Sequence, residues 1–107
     1  MNDYNISDSM KYNLLVARTI KEKLFKIPEF HNKQIALLLD KSRSINSIYE
    51  CFNDSFHELL YKHIDILSKV LTKEELEFIN NPSNLSLLYT VDKGSEVNGF
   101  VCYTMYL

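Results

Sequence analysis

The stretch Ile35-Ala36-Leu37-Leu38-Leu39 decides how this chain is read. It is the longest apolar run in the sequence and is apolar on every side. Such a segment belongs in the middle of a fold, either as a bundle helix or as a short buried strand. Periodicity alone cannot separate the two over so short a run. With no strand partner nearby, the reading favours a helix over 29–41. Pro28 would open it, because the missing proline N–H is not needed in a first turn.

Upstream, Met10, Leu14, Ala17, Ile20 and Leu24 recur at steps of three and four and form one apolar stripe. Ser and Asp at positions 7–9 can accept from the orphan amides of a first turn, so a helix is expected from there to Pro28. Downstream, no Gly or Pro interrupts 45–71. At about 100° per residue, Tyr49, Phe52, Phe56, Leu67 and Val70 fall on one side and Glu50, Asp54, Glu58, Tyr61 and Asp65 on the other. This predicts a single long amphipathic helix of about seven turns, the spine of a bundle. His63 lies at the centre of its apolar side and reads as a core histidine satisfied by one hydrogen bond.

Thr72-Lys73-Glu74-Glu75 matches the capping box and predicts a short helix from Lys73 to about Asn80, stopped by Asn80-Asn81-Pro82. Ser83 or Asn84 could cap a further helix reaching Lys93, with Gly94 as its terminator. Phe100 to Leu107 has strong strand propensity. The competing reading is a hairpin in which Asp92-Lys93-Gly94-Ser95 joins 85–91 to that segment. The expected fold is therefore all-α, a compact bundle of four to five helices around helix 45–71. The alternative is α+β with a small C-terminal β-hairpin. Residues 1–107 read as a single domain, with 1–8 expected to be a flexible N-terminus.

The chain has 107 residues, two Gly, two Pro, two Cys and a formal net charge of −2. One domain of this size can bury a core without disulfide or metal staples. Its 46% hydrophobic and 24% charged content excludes collagen-like, disulfide-dense and wholly disordered classes. No secretory signal precedes the first helix and no run reaches the ~18 residues of a membrane span. The expected location is cytoplasmic, with Cys51 and Cys102 as free thiols.

The sequence lacks the parts of most enzymes. No Gly-x-Ser-x-Gly, phosphate loop, dinucleotide fingerprint, His-x-x-x-His or Cys-x-x-Cys occurs, so neither catalysis nor a bound metal or cofactor is expected. Charge is unevenly spread. Lys11, Arg18, Lys21, Lys23 and Lys26 stand against Glu22 in the first helix, a net of +4. From Glu50 to Asn80, seven acids (Glu50, Asp54, Glu58, Asp65, Glu74, Glu75 and Glu77) stand against Lys62, Lys69 and Lys73, a net of −4. The bland reading is two solvated faces that attract each other. The functional reading is a partner-binding face made of Glu50, Asp54, Glu58, Tyr61 and Asp65 that meets a basic site. This points to a non-enzymatic protein-binding inhibitor or adaptor, of the kind represented by bacterial immunity or antitoxin-like proteins and phage-encoded inhibitors. Its partner would be another protein, a toxin or a host enzyme, and self-association through the apolar C-terminus is compatible with it. The alternative is a nucleic-acid-associated regulatory protein using Lys11, Arg18, Lys21, Lys23 and Lys26.

Overall fold

The computed structural model describes residues 7–107, so most of the expected flexible segment 1–8 lies outside the described residues. At its end, Ser7 caps a helix that begins at Asp8. The elements run α1 (Asp8–Phe25), β1 (Gln34–Asp40), α2 (Ile45–Lys62), α3 (Ile64–Val70), α4 (Lys73–Asn80), α5 (Pro82–Leu85), β2 (Thr90–Val97) and β3 (Phe100–Tyr106). The three strands form one antiparallel sheet in the order β1-β3-β2. The fold is thus α+β rather than an all-α bundle.

Three segments differ from the expected reading, and the first and last of them account for that correction. The run Ile35–Leu39 is a strand, not the middle of a helix over 29–41. After Pro28 the chain passes through Asn32 at φ 53°, a left-handed conformation that breaks any helical path. It then pairs from Gln34 to Asp40 with Tyr106 to Phe100. That partner lies far along the sequence, where local periodicity carries no information about it. Asp40 closes the strand by accepting from the Ser42 hydroxyl and backbone N–H, bonds that hold its carboxyl below the ordinary value.

The expected helix over 45–71 is two helices. His63, at φ −111° and ψ 26°, ends α2 and precedes α3. A straight helix over that span would be about 40 Å long, nearly the full 45 Å extent of a molecule only 20 Å thick. The break instead turns Leu67 and Leu71 into the same core as Phe52, Phe56 and Leu60. His63 is half-buried, edge-on to Phe30 at 5.4 Å, and makes no ring hydrogen bond among the described residues.

The helix expected to reach Lys93 stops at Leu85, and β2 follows. The hairpin reading is right in kind, but its turn is Asn98-Gly99, at φ 52° and 82°, rather than Asp92–Ser95. Two positive φ values define a tight turn whose twist suits the paired strands. The stretch Lys93–Glu96 instead holds a register shift, and there a Cβ on Gly94 would lie 2.8 Å from the Cys102 carbonyl oxygen. Glycine is needed at that close approach.

Two sequence readings hold in detail. Ser7 accepts from the Met10 N–H to cap α1, and α4 carries the full capping box of Thr72 and Glu75. In α1, however, only Ala17, Ile20 and Leu24 of the stripe are buried, while Met10 and Leu14 stay exposed on a first half that overhangs the core. Val101, Tyr103 and Met105 of the central strand β3 face the helices and are buried. The opposite sheet face, with Leu38, Val97 and Phe100, is open to solvent.

Candidate functional site

α2 begins at Ser44, whose hydroxyl accepts from the Ser47 N–H, and buries Ile48, Phe52, Phe56 and Leu60 at helical spacing. The same spacing carries Glu50, Asp54, Glu58 and Tyr61 along the opposite side, and all four are exposed. Tyr61, at 73%, is the most exposed of the large hydrophobic side chains among the described residues. None of the three carboxylates has a Lys or Arg within ion-pair distance among the described residues. Their mutual repulsion is left to solvent and salt, and the ring of Tyr61 stands at the end of the row. His57, also exposed, lies on the same strip but is not among the residues that the sequence assigns to this face. Its position seven residues after Glu50 was the available signal. Asp65 is exposed but belongs to α3, beyond the break at His63, so it does not continue the α2 row.

At Glu50 the acidic row meets a polar cleft between α2 and α5. It holds about 570 Å³ and is lined by Asn46, Tyr49, Glu50, Asn53, Ser83 and Ser86. Asn53 in its wall is held by Tyr89, a buried residue whose hydroxyl donates to Asn53 Oδ1. Burial, helped by the nearby Tyr49, pushes the Tyr89 phenol well above its ordinary pKa, so it stays a neutral donor. Asn53 in turn donates to the Pro82 carbonyl at 3.3 Å, tying α2 to α5. The cleft therefore offers fixed hydrogen-bonding groups beside an anionic row that has no ion-pair partner among the described residues.

The basic residues of α1 do not form one comparable surface. Lys23 is taken by Glu75, with Nζ and Oε1 2.6 Å apart. Arg18 pairs with Glu22 at 3.7 Å across one helical turn. Lys21 is half-buried and borders a small apolar pocket of about 250 Å³ with Leu24, Phe25, Phe30 and Leu107. Lys11 and Lys26 remain exposed at opposite ends of the helix. The expected attraction between the two charged regions is realised once, as Lys23–Glu75, and leaves the α2 acids untouched.

Glu75 is the one buried charged residue among those described, at 7% exposure. Burial raises its pKa, but the bonds from Lys23 and the Thr72 N–H outweigh burial and the carboxyl sits below its ordinary value. Lys23–Glu75 is a structural clamp between α1 and α4. Both cysteines are free and half-buried, and among the described residues no three His, Cys, Asp or Glu side chains gather as a metal would need. No helix of the described chain is long and apolar enough to cross a membrane. No family model matches the chain, and neither curated proteins nor solved structures show significant similarity to it.

Proposed function

We propose that this chain acts without catalysis, as a protein-binding inhibitor or adaptor of the immunity-protein or phage-inhibitor type, with the α2 face covering a basic site on its partner. The observation that carries the reading is the exposed row Glu50, Asp54 and Glu58, none of which has an ion-pair partner among the described residues, and which ends at Tyr61. An unpaired anionic row raises the encounter rate with a cationic surface, and an exposed tyrosine buries area on contact at low entropic cost. Asp65 lies outside the row and takes a marginal place in the contact. The test is retrieval of a specific partner from the native host by the wild-type chain and by a Glu50→Lys/Asp54→Lys/Glu58→Lys variant. All three positions are exposed, so the variant keeps the fold. Loss of the partner on charge reversal supports the reading, and equal retrieval by both chains overturns it.

A second reading, nucleic-acid association, draws on exposed Lys11 and Lys26, which have no carboxylate partner among the described residues. Lys23 is held by Glu75 and adds little to such a surface. This reading requires binding to DNA or RNA at low salt that falls steeply as salt rises. Absence of binding at low salt removes it.

A further inference from the structure

β1 has the composition of a strand buried on both faces, yet it lies at the edge of the sheet. Ile35, Leu37 and Leu39 face the helices and are only half-buried, while Ala36 and Leu38 face outward, Leu38 at 65% exposure. The edge itself is unsatisfied. Lys33 accepts from Leu107 through its carbonyl, and Lys41 donates its N–H to Gly99. The odd-numbered residues therefore turn their backbone toward β3, and Gln34, Ala36, Leu38 and Asp40 turn theirs outward. No described backbone group bonds the outward N–H and C=O of these four.

The two edges of the sheet are treated differently. β2 carries Lys93, Gly94 and a register shift, the devices that keep an edge from pairing. β1 has no proline, glycine, bulge or lysine between Gln34 and Asp40.

We infer that β1 pairs antiparallel with β1 of a second copy of this chain, joining two three-stranded sheets into one. The occupant follows from the strand's own symmetry. A two-fold axis at Leu37 sets Leu37 against Leu37, Ile35 against Leu39, Ala36 against Leu38, and Gln34 against Asp40. In this register the four outward-facing residues form the hydrogen-bonded pairs, apolar side chains meet on both faces, and the Gln34 amide can donate to the Asp40 carboxylate. The one like-charge meeting, Lys33 opposite Lys41, is eased by Glu96 of the same chain, 3.4 Å from Lys41. A shift of two residues in either direction shortens the paired length.

The area sets the strength. Strands of this length, about 24 Å long in a sheet about 10 Å thick, bring roughly 240 Å² per copy into contact. A standard interface uses about 800 Å² per partner. The pairing is therefore reversible and concentration-dependent rather than permanent.

Sedimentation of the full chain from about 10 μM to about 1 mM, the range of a weak association, tests this. The average mass should climb from one chain toward two. Ala36→Pro removes an outward N–H that makes no bond to β3, and it should keep the mass at one chain throughout with an unchanged circular dichroism spectrum. Register is read separately with Leu37→Cys in a Cys51→Ser/Cys102→Ser background. The two Leu37 positions would be about 4.5 Å apart at Cα, within disulfide reach. Mild oxidation should link them far more than an exposed Ser68→Cys control, including when Ala36→Pro fails to fold. Three results overturn the inference: a wild-type chain that stays single at 1 mM, a folded Ala36→Pro variant that still dimerises, or Leu37→Cys linking no more than the control. A single chain that binds an extended apolar peptide at β1 also overturns it, and gives the edge to another protein's strand. Mass and cross-linking are read without the partner of α2, so failure here leaves the proposed function standing.

Discussion

Replacing Lys23 by Met keeps the aliphatic stem and removes the ammonium that Glu75 depends on. The Glu75 side chain is 9% exposed, and its Oε1 also accepts from the Thr72 N–H at 2.8 Å, so the carboxylate cannot simply swing into water without losing the capping box of α4. Breaking a buried pair by removing one member costs about 3–5 kcal/mol. The Lys23 side chain is about one-third exposed, which lets water relieve part of that burden. The expected loss is then about 2 kcal/mol, or roughly 8–16 °C in Tm for a domain of this size. The pH dependence follows from the depressed carboxyl. Its contribution is fully present above the ordinary carboxyl value of 4.5 and is lost as pH falls through the lower value of the folded state. The gap between wild type and Lys23→Met should be complete at pH 7 and smaller at pH 3. Urea melts at the two pH values measure it. A variant within about 0.5 kcal/mol of wild type at pH 7 would refute the clamp. An equal gap at both pH values would assign the loss to stem packing instead.

Two smaller perturbations examine the turn and the helix break. Gly99→Ala places a Cβ on a residue at φ 82° with open space around it, so the cost is conformational, about 1–2 kcal/mol. An unchanged urea midpoint would mean that the hairpin turn tolerates any residue there. His63→Leu should change stability by less than about 1 kcal/mol, because the ring packs against Phe30 without a hydrogen bond among the described residues. A larger loss in the same melts would show that the imidazole is structurally bonded.

The sequence was most legible where structure is local. The caps at Ser7 and Thr72 and the buried face of α2 follow from neighbours within one or two turns. It was least legible where structure depends on distant pairing. Ile35–Leu39 carries no period that distinguishes helix from strand, and its partner β3 begins sixty-one positions after Leu39, at Phe100. Asn98-Gly99 is a strong hairpin signal and forms the turn that the sequence reading places at the more polar Asp92–Ser95. The break at His63 has no Gly or Pro to announce it and reflects the need of α3 to turn back over the core. Within the candidate site, Glu50, Asp54, Glu58 and Tyr61 were readable because one unbroken helix orders them. Asp65 was misplaced for the same reason that the long helix was. The capture of Lys23 by Glu75 joins residues fifty-two positions apart and leaves no trace in either local pattern.

Among the described residues, the order β1-β3-β2 makes β3 the only strand with two neighbours. Neither β1 nor β2 has a sheet partner until Phe100–Tyr106 is in place. A ribosome would therefore release helices able to collapse early, while the most apolar strand waits as an unpaired segment through most of synthesis. Sheet formation is then a late, long-range closure, slower than the helical steps and exposed to wrong pairing meanwhile. A chain cut before Phe100 would lose both strand ladders at once and leave Leu37 and Leu38 available to any strand it meets. Stop mutations near the end of this sequence should be as damaging as those near its middle.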